Sequence, residues 1–221
     1  DLLLGGSWMC CSTSGRCAAV TNFFSKKDRG KKYPRSRGKI ITNFVNGKIS
    51  SEQFAASELE PYKNEYGGFS AILFDGKSLL YCSNGDKSQY SRTLSPGTYG
   101  LSNHLLDTPW PKVEKLKAAV AQSRRLGKNP EQLALELLKE LEDAECVQDK
   151  YLLPTTLSSE EEYIRSAIFV MGAQFGTRTS SIASYFPGKG FYFTEKNHEA
   201  VPSGAPSSFS HEFVAENRTI R

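Results

Sequence analysis

Three turn signals govern what this chain can fold into. Thr13-Ser14-Gly15, Asp75-Gly76 and Pro187-Gly188-Lys189-Gly190 each separate two β-rich runs. Runs joined by so few turn residues fold back as antiparallel hairpins. Ser7 to Ser12 and Arg16 to Phe24 make the first pair. Tyr66 to Phe74 and Ser78 to Ser83 make the second, Arg178 to Phe186 and Phe191 to Lys196 the third. In the first return strand, period-two alternation puts Cys17, Ala19 and Thr21 on one face and Ala18, Val20 and Asn22 on the other. The apolar run Ala167 to Met171 reads as a further strand, and Phe209 to Ala215 as an edge strand.

Between the second and third pairs the pattern changes to a helical one. Helical character begins near Trp110-Pro111 and runs to Leu126, with Pro111 suited to a first turn. Asn129 caps a second helix that has Pro130 at its first position. Leu133, Leu137, Leu138 and Leu141 give it an apolar stripe. Earlier, Ile49-Ser50-Ser51-Glu52 fits a capping box, Ser at the cap and an acid or amide three residues on, opening a short helix through Leu59. Residues 146–158 read as a linker, and Ser159-Glu160-Glu161-Glu162 as a short acidic turn. Hairpins, then helices, then hairpins describe an α+β fold with antiparallel sheets, with helices 112–126 and 130–145 flanking a two-sheet core. A chain of 221 residues that is 38% apolar can bury such a core as a single domain, 1–221, without disulfide staples.

Charge is concentrated in one place. The net charge is +4, but the stretch from Lys26 to Lys39 holds eight basic residues and one acidic residue, leaving the rest net acidic. Gly30, Pro34 and Gly38 break that stretch into an exposed, mobile loop. Lys26, Lys27, Arg29, Lys31, Lys32, Arg35 and Arg37 are its anion-binding candidates, for phosphate or an anionic membrane surface. Only Tyr33 is interleaved, so there is no stacking platform for nucleic acid. The cysteines, at 10, 11, 17, 82 and 146, are odd in number and form no CxxC, which points to a reducing compartment. No Cys/His spacing suits a metal. No run of 18 apolar residues occurs, and Asp1 to Gly6 lacks the features of a secretory signal. A cytoplasmic location is expected.

Several runs are more specific. They are Gly5-Gly6-Ser7-Trp8, Ser12 to Arg16, Ala18 to Asn22, Ser36-Arg37-Gly38, Tyr66-Gly67-Gly68-Phe69, the long run from Ser95 to Lys112, Gly176 to Ser180, and Phe193-Thr194-Glu195. Together they resemble the transport and Golgi organisation protein 2 family, also called NRDE proteins, from residue 1 to about 214. Family members begin with Met-Cys and carry an Asn-Arg-Asp-Glu motif a few dozen residues on. This chain does not start with Met-Cys and has no Asn-Arg-Asp-Glu run, so the family's N-terminal segment is expected to be missing. A chain in that form is expected to lack amidase activity and to be less stable than an extended one.

The resemblance implies a four-layer αββα sandwich similar to the N-terminal nucleophile hydrolases. It also implies a role in Golgi organisation and secretory traffic, with Golgi or mitochondrial association and handling of haem or acyl-CoA-type lipids. By analogy with the bile-salt hydrolase branch, Asn22, Asn103 and Arg178 are similar to the two Asn and one Arg that line the site. They are expected to converge on one polar pocket. The alternative the resemblance raises is an amidohydrolase acting on C–N bonds, whose chemistry needs a nucleophile and its own α-amine at the mature N-terminus. Asp1 does not supply one, and whether the chain is an enzyme stays open at this point. No haem-ligand motif is present, and His104 is the only His within the matched runs.

Overall fold

The computed structural model describes residues 5–23, 30–147, 158–172 and 175–198, together with the backbone of 213–214. The described residues divide into two compact units, one up to residue 108 and one from residue 109.

The first unit is built on a five-stranded antiparallel sheet in the order β1 (Met9–Cys11), β2 (Cys17–Asn22), β3 (Phe69–Phe74), β4 (Leu79–Ser83) and β5 (Ser91–Thr93). The turn at 13–15 pairs Cys11 with Cys17 and Met9 with Ala19. Gly15 adopts φ 81° there, a conformation that costs glycine little. Asp75 closes the second hairpin. Burial pushes its carboxyl up, but the N–H groups of Ser78, Ser51 and Lys77 and the Ser51 hydroxyl outweigh that and hold its pKa at about 2.

One face of this sheet carries Ala18, Val20, Ala71, Leu73, Leu80 and Cys82, all buried. Helix α1 (Arg37–Asn46) lies on it through Ile40, Ile41, Phe44 and Val45. This helix shortens the expected loop at 26–39 by taking its last residues, 37–39, whereas residues 30–36 belong to no helix or strand. Its apolar residues recur at helical spacing and bury, so the chain enters the helix at Arg37 and the last basic residues occupy its first turn. Lys26, Lys27 and Arg29 lie outside the described residues. The capping box is present as Ser50 with Gln53 and opens α2 (Ser51–Phe54). A wider π-helical stretch, Ala55–Leu59, and a 3₁₀ stretch, Glu60–Glu65, continue it. Arg16 is buried beneath this layer. Its Nε donates to the Phe44 carbonyl at 3.0 Å and its Nη2 to the Ile49 carbonyl at 2.9 Å, and its guanidinium sits 4.1 Å from the Phe44 ring centre. Among the described residues no carboxylate hydrogen-bonds it, and its burial is tolerated because carbonyl oxygens and a ring face the cation.

The second unit holds α3 (Pro111–Arg125), α4 (Pro130–Glu140), α5 (Ser159–Arg165) and a three-stranded antiparallel sheet of β6 (Thr179–Phe186), β7 (Gly190–Asn197) and β8 (Phe213–Val214). Pro111 and Pro130 occupy first-turn positions, and Asn129 forms a capping box with Gln132. Helix α4 stops at Glu140, short of 145, and packs against β6 and β7. Ala134 and Leu138 are its buried residues, and Leu133 and Leu137 flank them half-buried. The acidic turn at 159–162 is the start of α5, capped by Ser158 and Glu161.

Ala167 to Met171 is not a strand, a second correction. Its polar groups are satisfied one at a time instead of by a neighbouring strand. Phe169 N–H donates to the Asp143 carbonyl and Val170 N–H to the Thr177 hydroxyl, and Met171 forms a single bridge to Gly176. Of the expected edge strand 209–215, Phe213–Val214 pairs with β7, and the remainder lies outside the described residues.

Candidate functional site

The candidate site in the first unit begins with a close approach of two glycines. Ser7 N–H donates to the Gly38 carbonyl at 3.2 Å, so the segment before β1 runs against the first turn of α1. A Cβ on Gly6 would lie 2.9 Å from the Gly38 Cα, and one on Gly38 would lie 3.0 Å from the Gly6 Cα. Only glycine fits at both positions. The backbone contact leaves a cavity of about 450 Å³ beside it, bounded by Ser7, Trp8, Tyr33, Ser36 and Gly67 as well as the two glycines.

Three of the anion-binding candidates line this cavity: Lys31, Arg35 and Arg37. Their settings differ. Arg35 is held by Glu65, whose Oε2 accepts from its Nε at 2.8 Å, and it lies 3.8 Å from the Tyr62 ring centre. The Glu65 hydrogen bond is the main cause of its raised pKa. Arg37 donates from Nη1 to the Gly68 carbonyl at 3.0 Å. Lys31 is exposed at the cavity wall, and Lys32 is exposed but does not line it. Two guanidiniums braced by the fold and one exposed ammonium suit recognition of an anionic group.

The polar-pocket candidates separate into two groups. Asn22 ends β2 and Asn103 sits in the irregular segment after β5, and the fold brings them together. Asn103 Nδ2 donates to the Asn22 carbonyl at 3.2 Å. The same segment is tied down by Thr21, whose hydroxyl donates to the Ser102 carbonyl at 2.8 Å, and by Ser70, whose hydroxyl donates to the His104 carbonyl at 3.0 Å. Phe23 stacks on His104 with ring centres 5.0 Å apart. Asp107 closes the segment in a left-handed conformation, φ 58°, with its carboxylate accepting from Gly100 N–H. Asn22 Oδ1 is buried with no hydrogen-bond partner among the described residues. Arg178 belongs to the second unit, is exposed, and stands one residue before β6, its carbonyl accepting from His198 N–H.

Sequence reasoning passed over one cluster. Cys11 and Cys17 face each other across β1 and β2 with their sulfurs 2.9 Å apart. The signal was available, because a turn centred on Ser14 sets 11 opposite 17. Among the described residues no group of three or more His, Cys, Asp and Glu could hold a metal ion, and no helix is long and apolar enough to cross a membrane.

Comparison with known proteins agrees with the family resemblance. A family profile described as Transport and Golgi organisation 2 matches residues 1–200. The mouse Transport and Golgi organization 2 homolog is 31% identical over 230 residues, covering 96% of this chain and 79% of the relative. The cattle Transport and Golgi organization protein 2 homolog is 29% identical, covering 95% and 78%, and the human one is 30% identical, covering 87% and 72%. The long matched run from Ser95 to Lys112 contains the segment that closes over Asn22, so the resemblance and the geometry fall on the same residues. This chain belongs to the Transport and Golgi organisation 2 family.

Proposed function

We infer that the chain serves Golgi organisation and secretory traffic by binding an anionic amphipathic ligand, an acyl-CoA or haem, in the cavity between the segment before β1 and the start of α1. The observation that carries this reading is the 450 Å³ cavity with Lys31, Arg35 and Arg37 in its wall. A volume in that range holds part of a cofactor-sized ligand. The cations suit phosphate or propionate groups, and the indole of Trp8, 58% exposed, offers an apolar surface beside them. Mitochondrial association and contact with an anionic membrane surface belong to the same reading.

Trp8 supplies the test. Its fluorescence should quench on titration with palmitoyl-CoA or haem, and less with uncharged palmitamide. Lys31→Gln, which changes an exposed side chain, should weaken binding by about tenfold and flatten its salt dependence. Equal quenching by charged and uncharged ligands, or unchanged affinity in Lys31→Gln, would overturn the assignment of the cavity.

A second reading, a hydrolase-like sandwich acting on C–N bonds, draws on the Asn22–Asn103 contact and the orphaned Asn22 Oδ1. Turnover of N-acyl amides that disappears in Asn103→Ala would favour it over the binding role.

A further inference from the structure

The Cys11–Cys17 pair lies outside the cavity and outside the Asn22–Asn103 contact. The ladder around it fixes its geometry. Val20 N–H donates to the Trp8 carbonyl and Ser12 N–H to the Arg16 carbonyl, so those pairs are hydrogen-bonded, and alternation makes Cys11–Cys17 a non-hydrogen-bonded pair. At such positions the Cα atoms approach to about 4.5 Å, within the span a disulfide bridges. The sulfurs already stand 2.9 Å apart, and both residues are half-buried, open to a small oxidant.

The neighbouring thiols are placed differently. Cys10 points to the opposite face and packs against the core. Cys82 is fully buried, and burial pushes its thiol up to about 12. Within the pair the two sulfurs differ. The hydrogen bond from Cys11 is the main influence that lowers the Cys17 pKa, against burial, and the same bond, together with burial, raises that of Cys11. The thiolate therefore forms on Cys17 and the proton stays on Cys11.

We propose that Cys11 and Cys17 are a redox-active pair that hydrogen peroxide closes into a disulfide, tying the three-residue edge strand β1 to β2. The Cys17 thiolate attacks one peroxide oxygen. An S–O bond forms, the O–O bond breaks, and the departing hydroxide takes up the proton that Cys17 released, leaving as water. Cys11 Sγ then attacks Cys17 Sγ. The S–S bond forms, the S–O bond breaks, and the second hydroxide leaves as water with the Cys11 proton. Two thiols and one peroxide give one disulfide and two waters. Each sulfur is oxidised by one electron, and the peroxide is reduced by two. The residues immediately before β1 are Gly6, Ser7 and Trp8, so the bond anchors the strand that leads from the cavity wall.

The test uses the unaltered chain. It is exposed to graded hydrogen peroxide, quenched with iodoacetamide and digested with trypsin, which cuts after Arg16 and Lys26 and so separates the two cysteines. Peptides 1–16 and 17–26 should appear joined. Alkylation of Cys11 and Cys17 should fall together by more than about tenfold, with Cys10 still alkylated once the chain is unfolded, and dithiothreitol should restore both. Cys10→Ser should keep the link and Cys11→Ser should abolish it, each checked for native circular dichroism. A link that survives Cys11→Ser undiminished, a Cys10–Cys17 link as the main product, or Cys17 oxidised to sulfinic acid without cross-linking would each overturn the proposal.

Discussion

The two units use the same parts, antiparallel strands and capped helices, yet they bury them to different depths. In the first, large side chains are closed off completely. Phe44, Phe69, Ile41 and Leu73 have no exposure, and they come from two elements, α1 and β3, that meet on one sheet face. In the second, the most buried apolar residues are small, Ala134 and Ala167, and Val113, Leu138 and Phe191 keep slight exposure. Leu126, Leu135, Met171 and Phe175 are exposed there. The first unit has the Arg35–Glu65 ion pair, and the second carries others between its segments, Lys115 with Asp143 and Lys196 with Glu142. Apolar burial contributes far more per residue than an exposed ion pair. The first unit is therefore the one whose structure is held firmly enough to preorganise a site, and the cavity, the Asn22–Asn103 contact and the cysteine pair all lie within it.

The largest expected effect probes that difference directly. Phe69→Ala, in the middle of the sheet, should destabilise by about 3–5 kcal/mol, whereas Leu138→Ala on α4 should cost about 2 kcal/mol. Urea unfolding combined with amide exchange, read separately over β2–β4 and β6–β7, measures both. Equal costs would erase the contrast between the units.

A smaller effect is confined to the first unit and depends on pH. Asp75 has a folded pKa of about 2 against an ordinary value of 3.8. A depressed carboxylate contributes stability above its unfolded pKa and loses it as pH falls through the folded one, so the loss should fall between about pH 4 and pH 2. Asp75→Asn should remove that acid-dependent part. With its partial exposure discounted for solvent screening, it should cost about 1 kcal/mol at neutral pH. An unchanged acid profile in Asp75→Asn would show that the hairpin hydrogen bonds are not what holds this corner.

The smallest effect belongs to the second unit. Lys115→Gln, which removes the pairing with Asp143, should lower stability by less than about 1 kcal/mol, and added salt should narrow the difference further. A loss comparable to that of Leu138→Ala would mean that ion pairs, not apolar packing, carry the second unit.

Local chemistry explains which features could be read before folding. The turns at Gly15, Asp75-Gly76 and Gly188 are written in residues that tolerate tight backbone conformations. The caps at Ser50 and Asn129 are satisfied by Gln53 and Gln132, three residues on. Helix α1 escaped because its apolar quartet, Ile40, Ile41, Phe44 and Val45, follows a dense run of charge whose composition alone suggests a loop. The apolar composition of Ala167 to Met171 suggests a strand, but composition says what is buried, not whether a neighbouring strand is present to complete the ladder.

The sequence by itself determined the antiparallel α+β character, helices α3 and α4 and the family, because hairpin turns, helix caps and the Ser95–Lys112 run are all encoded within a few residues of one another. Tertiary structure decided the cavity and the long-range contacts. Asn103 reaches Asn22 across 81 positions, Ser70 reaches His104 across 34, and Gly6 meets Gly38 only because α1 docks on the sheet. Those contacts depend on how separate elements pack in three dimensions, and packing of that kind leaves no local pattern in the chain that makes it.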